Sequence, residues 1–187
     1  KNSIFWPIAY IASKIVAKDV FIFDPSLPQE FISNTIERCS IDCTFNDIDF
    51  SEGFNSESIL INSQHIGTRL LTNGPNDILF TSGTTSESKG VIIPESAYAH
   101  VASTLIKKLN QQGEDLELLS MPFFHSFGLT RLRTAFIAGN SSFISDGLKN
   151  FPEIYKFSKT NPFSGLSMVP SAIEIIRGML KSKAGEF

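Results

Sequence analysis

Apolar residues along this chain alternate between two spacings, and that alternation restricts the possible fold more than any other feature. Ile8, Ile11, Ile15 and Val16 recur at helical spacing, and residues 20–23 follow as a short β-type run. Phe31, Ile32, Thr35 and Ile36 repeat the helical stripe, and residues 41–45 read as the next strand. After an irregular polar stretch, residues 59–62 read as an edge strand, residues 78–81 and 91–93 as two further strands, and residues 95–112 as a long helix. Beyond Gly113 the same alternation gives a strand at 116–121, a helix at 129–138, a strand at 142–145, a helix at 152–159, a strand at 165–169 and a helix at 171–180. Strands separated by helices of roughly ten residues indicate parallel βαβ units with right-handed crossovers. The expected class is therefore α/β with parallel layers. Gly113-Glu114-Asp115 marks a boundary between a first α/β sublobe, residues 1–113, and the start of a second, truncated one, residues 114–187.

Between two of these strands lies Thr81-Ser82-Gly83-Thr84-Thr85-Ser86-Glu87-Ser88-Lys89-Gly90. An ordinary turn needs only one or two polar residues. This one gathers six hydroxyl residues, two glycines and a lysine. Backbone N–H groups, hydroxyl donors and one cation in a single place suit a polyphosphate. The Walker A pattern does not fit. Ser88 stands where its second Gly belongs, Gly90 follows Lys89 where a hydroxyl would ligate magnesium, and Val91-Ile92-Ile93-Pro94 favours a strand over an immediate helix.

With Phe80, Thr81, Ser82, Gly83, Thr84, Thr85, Lys89 and Gly90 in place, the loop resembles the Gly/Ser/Thr-rich loop of the adenylate-forming (AMP-binding) superfamily. That superfamily includes acyl-CoA synthetases, peptide-synthetase adenylation domains and luciferases. The chain departs from it at Ser86, where the family usually has Gly, and at Ser88, where it usually has Pro. Gly adopts backbone angles that Ser reaches only with strain, and a Pro would restrict the loop. Downstream, Met121-Pro122-Phe123-Phe124-His125-Ser126-Phe127-Gly128-Leu129 looks like the family's Pro-x-Phe-His-x-x-Gly segment. Upstream, Val20-Phe21-Ile22-Phe23-Asp24-Pro25-Ser26-Leu27-Pro28 looks like its strand-then-Asp-Pro segment. Read from its residues alone, this upstream segment is structural: a strand ends at Asp24, and Ser26 with Gln29 forms a capping box for the next helix. Leu166-Ser167-Met168-Val169-Pro170-Ser171 is similar to a later strand-then-Val-Pro element.

The resemblance implies that ATP and Mg2+ activate a carboxylic acid as an acyl-adenylate, with release of pyrophosphate and passage of the acyl group to a thiol such as CoA or a carrier protein. It implies that Thr81, Ser82, Gly83, Thr84, Thr85, Ser86, Lys89 and Gly90 form the ATP-phosphate site. Phe124, His125 and Gly128 would border the acyl substrate, leaning toward a fatty or aryl acid. The family's Mg2+-binding Glu, ribose-binding Asp and catalytic Lys have no counterpart before Phe187, so the chain reads as an internal portion, inactive alone. The Ser86 and Ser88 departures motivate an alternative, a non-catalytic relative serving as a binding or scaffold protein.

Net charge of −3 and the absence of a basic run argue against a nucleic-acid partner. Apolar runs are broken by Lys14, Lys18 and polar loops, so no membrane span is expected. Cys39 and Cys43 have neither redox nor usual zinc spacing; they read as buried free thiols and suit a reducing cytoplasm. Seventeen phenylalanines are expected mostly in the core. His65 and His100 read as exposed or structural, Arg131 and Arg133 as solvated on opposite-leaning faces of one helix, and Asp47, Asp49 and Glu52 as an acidic loop without calcium-site spacing.

Overall fold

The structure, a computed structural model, describes residues 2–45, 75–81, 88–148 and 151–181. Its helices are α1 (Phe5–Ile15), α2 (Gln29–Arg38), α3 (Glu95–Leu109), α4 (Ser126–Ala138), α5 (Phe151–Ser158) and α6 (Pro170–Lys181). Its strands are β1 (Val20–Ile22), β2 (Asp77–Phe80), β3 (Gly90–Ile93), β4 (Leu116–Leu119), β5 (Ser141–Ile144) and β6 (Gly165–Leu166). They form two sheets of three strands, ordered β1-β2-β3 and β5-β4-β6. The second sheet is wholly parallel, as the strand–helix alternation predicts. In the first, β1 and β2 are parallel but β3 runs antiparallel to β2, which makes residues 81–89 the connection of a hairpin.

Where the structure departs from expectation, local hydrogen bonding gives the reason. Residues 41–45 form no strand, because the Ile41 amide donates to the Ile36 carbonyl at 3.0 Å and is used in closing α2. No capping box starts α2: its N-cap is Pro28, without a side-chain cap, and the Ser26 amide instead donates to Asp24 Oδ1 at 2.8 Å. The strand expected at 165–169 stops at Leu166, since the Val169 carbonyl accepts from Ala172 and Ile173 at the head of α6. The edge strand expected at 59–62, His65 and the acidic residues Asp47, Asp49 and Glu52 lie outside the described residues.

One apolar core joins both sheets. Tyr10 and Ile11 of α1, Ile22, Leu79 and Tyr98 pack with Leu119, Phe123, Leu129 and Leu132. Of the phenylalanines among the described residues, Phe123 alone is fully buried. Others pair at the margins: Phe80 stacks on Phe23 at 4.9 Å and meets Phe31 edge-on at 5.4 Å, while Phe143 packs on Phe157 at 4.6 Å. Cys39 and Cys43 are free thiols but exposed, because α2 presents no fully buried residue and the segment after it is not a strand.

Both arginines of α4 are buried, contrary to expectation. Arg131 Nη2 donates to Glu117 Oε2 of β4 at 2.6 Å, and Gln111 Nε2 holds the other carboxylate oxygen at 2.5 Å. Arg133 Nη2 donates to Asp77 Oδ2 of β2 at 2.9 Å, and Nη1 lies 3.3 Å from Glu95 Oε1. Its guanidinium also sits 3.8 Å from the Tyr98 ring centroid. Lys14 pairs with Asp77 Oδ1 and donates to the Pro75 and Asn76 carbonyls. A buried charge is tolerated when paired and hydrogen-bonded. These pairs tie α4 to one strand in each sheet.

Candidate functional site

Pairing of β2 with β3 closes the hydroxyl-rich loop at its base. Phe80 stands opposite Gly90, and the Thr81 amide donates to the Lys89 carbonyl at 3.0 Å. A Cβ at Gly90 would lie 3.2 Å from Ile78 Cγ2 and 3.3 Å from the Phe80 ring, so the small residue keeps the stem closed. Thr81, Lys89 and Gly90 are exposed. Ser82, Gly83, Thr84, Thr85 and Ser86 lie outside the described residues. The stem leaves the C-terminal end of β2, beside the end of parallel β1, and the Phe23, Phe80 and Phe31 rings pack together there. Open α/β sheets characteristically bind ligands outside the carboxyl ends of their strands.

The second group of candidate residues follows the C-terminal end of β4. His125 is the N-cap residue of α4, with extended backbone angles of φ −105 and ψ 146. Its amide donates to the Pro122 carbonyl at 3.2 Å, and its carbonyl accepts from Leu129 at 3.0 Å. Phe124 packs against the core and lies 4.5 Å from the imidazole, centroid to centroid. Gly128 is buried, and a Cβ there would collide with the Met121 and Pro122 carbonyl oxygens. Its smallness therefore serves the chain's own turn into α4.

Asp24, two residues beyond the end of β1, approaches this second group. Its Oδ1 accepts from Ser26, and its Oδ2 lies 4.0 Å from His125 Nε2. Partial burial pushes the Asp24 carboxyl up, but hydrogen bonds from Ser26 and the nearby imidazole outweigh burial and hold it below its ordinary value. Asp24 is expected from the sequence as the end of a strand, whereas β1 ends at Ile22. No sequence signal paired it with a residue in another element. The structure brings Thr81, Lys89 and Gly90 together at one stem, and Phe124, His125 and Gly128 together at the head of α4.

Elsewhere, an apolar cavity of about 250 Å³ lies between the second sheet and α5 and α6, lined by residues that include Leu118, Phe151, Ile154, Phe163 and Met168. None of the candidate residues lines it. Among the described residues, no three His, Cys, Asp or Glu side chains converge as a metal site, and no helix is long and apolar enough to cross a membrane. His100 is exposed on α3.

Residues 2–186 match the family model described as AMP-binding enzyme. Over 105 residues the chain is 24% identical to 4-coumarate–CoA ligase-like 4 of Oryza sativa subsp. japonica, covering 54% of this chain and 19% of that relative. The o-succinylbenzoate CoA synthetase of Bacillus subtilis, solved in complex with its acyl-adenylate intermediate, is similar with a TM-score of 0.67 at 15% identity, over 92% of this chain and 48% of its own. The inhibitor-bound N-terminal domain of FACL13 from Mycobacterium tuberculosis is similar with a TM-score of 0.51 at 21% identity, over 61% of this chain and 31% of its own. At these identities the structural likeness speaks for the fold, a mixed α/β arrangement with parallel strands. The chain spans 19% of the curated relative's length and 48% of the synthetase's. Since the family model matches nearly from one end to the other, the chain belongs to the AMP-binding enzyme family.

Proposed function

We propose that this chain is the phosphate-loop portion of a ligase that uses ATP to activate a carboxylic acid as its acyl-adenylate, the acyl group then passing to a thiol such as CoA or a carrier protein. The observation that carries this reading is the stem at the C-terminal end of β2, where Thr81 and Lys89 close a loop of hydroxyl residues and glycines. In the proposed reaction a carboxylate oxygen bonds to the α-phosphorus as the bond to the pyrophosphate oxygen breaks. The site's task is to hold the departing negative charge and keep the carboxylate in line. We assign the β- and γ-phosphates to Thr81, Ser82, Gly83, Thr84, Thr85, Ser86 and Lys89, with Gly90 closing the loop. Phe124 and His125 form the acyl-side wall, and Gly128 sets the turn that presents them. Residues 1–113 and 114–187 are assigned as two sublobes, built on β1–β3 and β4–β6. Among the described residues no three His, Cys, Asp or Glu side chains converge, and no residue of this chain is assigned to Mg2+.

Charge-assisted hydrogen bonds contribute roughly 1.5–3 kcal/mol each, so three or four supply about 5–10 kcal/mol. Ordering a loop costs about 1–2 kcal/mol per residue, which offsets most of that gain. Nucleotide affinity of these 187 residues alone is then expected on the order of millimolar. ATP–pyrophosphate exchange tests the reading: the 187 residues alone should be silent with any acid, and exchange by the pure chain would overturn that part. In a longer protein that contains this chain and shows exchange, Lys89→Ala should weaken exchange more than acid binding. Equal loss of both would count against a phosphate role for Lys89. Ser86 and Ser88 favour a second reading, a non-catalytic binding protein, and a longer protein silent with fatty and aryl acids would replace the first reading with it.

A further inference from the structure

We propose that the apolar cavity between the second sheet and α5 and α6 is a ligand site of its own, taking an uncharged apolar group the size of a single aromatic ring or a branched alkyl chain. The strand pleat sets it apart from the acyl-side residues. Glu117 and Leu119 of β4 face α4, the first through Arg131 and the second through the core that holds Leu129 and Leu132. Leu118, between them, turns to the other face and lines the cavity. Leu118 and Ile154 of α5 are buried, whereas Phe163 and Met168 are half-buried and Leu166 is 54% exposed, so the cavity opens to solvent past Leu166. Ring packing holds one wall: Phe163 meets Phe143 edge-on at 5.8 Å, and Phe143 packs on Phe157 at 4.6 Å. The volume of about 250 Å³ exceeds the roughly 150 Å³ at which a cavity lined by Leu, Ile and Phe takes up benzene. Among the described residues that line it none is charged, and the Ser158 hydroxyl is engaged by the Tyr155 carbonyl at 2.8 Å. A carboxylate or phosphate would lose its water there without gaining a partner. An apolar occupant instead restores the dispersion contacts that an unfilled cavity forfeits.

The test uses the full 187-residue chain with isotope-labelled methionine methyls, and benzene as the probe. Met168 lines the cavity, whereas Met121 adjoins Gly128 on the acyl side. Benzene should shift the Met168 methyl signal saturably, leave that of Met121 in place, and raise the urea midpoint, as a ligand of the folded state alone does. Ser158→Trp puts an indole at the cavity wall and should weaken the Met168 response about tenfold or more by filling the space. Leu166→Trp, at the exposed mouth, should weaken it in the same direction and serves as the filling variant if Ser158→Trp does not fold. A response confined to Met121 overturns the site, because benzene then binds on the acyl side. The absence of any saturable methyl response overturns it too, as does a Met168 response unchanged in a folded filling variant. None of these residues lies at the loop stem or at the head of α4, so the result stands apart from the acid-activation reading.

Discussion

At the scale of single residues, the charges with the greatest energetic consequence lie inside the molecule and away from the loop. Arg133 faces two carboxylates, Asp77 and Glu95, and lies between the Tyr10 and Tyr98 rings. Burial alone would lower its guanidinium, but Tyr10, Asp77 and Glu95 outweigh that and raise it. Arg133→Met would leave Asp77 and Glu95 to share Lys14, so one buried carboxylate would lose its counter-charge. Breaking a buried pair by removing one partner costs about 3–5 kcal/mol, and urea unfolding should show a loss of that size for Arg133→Met. Adding Glu95→Gln should recover part of it, because the uncompensated charge is removed. A loss below about 1 kcal/mol would mean that the network is hydrated and behaves like a surface pair. None of this was legible in the sequence. Arg131 and Arg133 do lean to opposite faces of one helix, as expected, but their partners Glu117, Asp77 and Glu95 lie on other elements. Only the packing of α4 against both sheets brings these charges together.

At the scale of elements, the sequence carried the number and type of most described helices and strands, because periodicity reports which face is apolar. Their ends followed other rules. Four of the described helices close on a residue of positive φ, of which Gly139 after α4 is the one glycine; Ala17, Ser40 and Asn110 serve the others. Asn140 donates to Ala135, and Gln111 to Ile106, in the six-to-one pattern of a Schellman closure. This explains why α3 stops at Leu109 although its expected range ran to 112. Strand direction was equally hidden. A hydroxyl-rich connection is compatible with a hairpin or a crossover, and only pairing distinguishes them. Ala17, with φ 57, carries a Cβ in the left-handed region after α1. That conformation costs an L-residue about 1–2 kcal/mol, of which the greater unfolded-state freedom of glycine returns a part. Ala17→Gly is therefore expected to stabilise the chain by about 0.5–1 kcal/mol. The measurement is a higher urea midpoint with unchanged denaturant slope. A lower midpoint would show that the α1 closure holds no such strain.

At the scale of the whole molecule, α4 ties the two sheets to each other. Arg131 reaches β4, Arg133 reaches β2, and Leu129 and Leu132 lie in the shared core. His125 at its head and the loop stem beyond β2 therefore belong to elements tied by one buried network. That network also limits the chain at high pH. Burial is the largest influence on Tyr10 and on Tyr98, and with the neighbouring carboxylates it outweighs Arg133 and raises both phenols above their ordinary value. A group whose folded pKa is raised contributes stability that is complete below its unfolded pKa, about 10 for tyrosine, and is lost as pH climbs above it. Alkaline titration should therefore release the tyrosinate absorbance of Tyr10 and Tyr98 together with the loss of tertiary structure. The Tyr98 hydroxyl has no hydrogen-bond partner among the described residues, whereas that of Tyr10 donates to Asp77 at 2.8 Å. Removing an unpaired buried hydroxyl is nearly neutral or stabilising, so Tyr98→Phe should leave stability at neutral pH within about 1 kcal/mol of the unsubstituted chain. It should also move the alkaline unfolding midpoint upward, because one of the two linked ionisations is gone. Circular dichroism followed against pH reads both effects. An unmoved alkaline midpoint would mean that the Tyr98 phenol ionises without the chain unfolding, and that the packing around Arg133 opens locally.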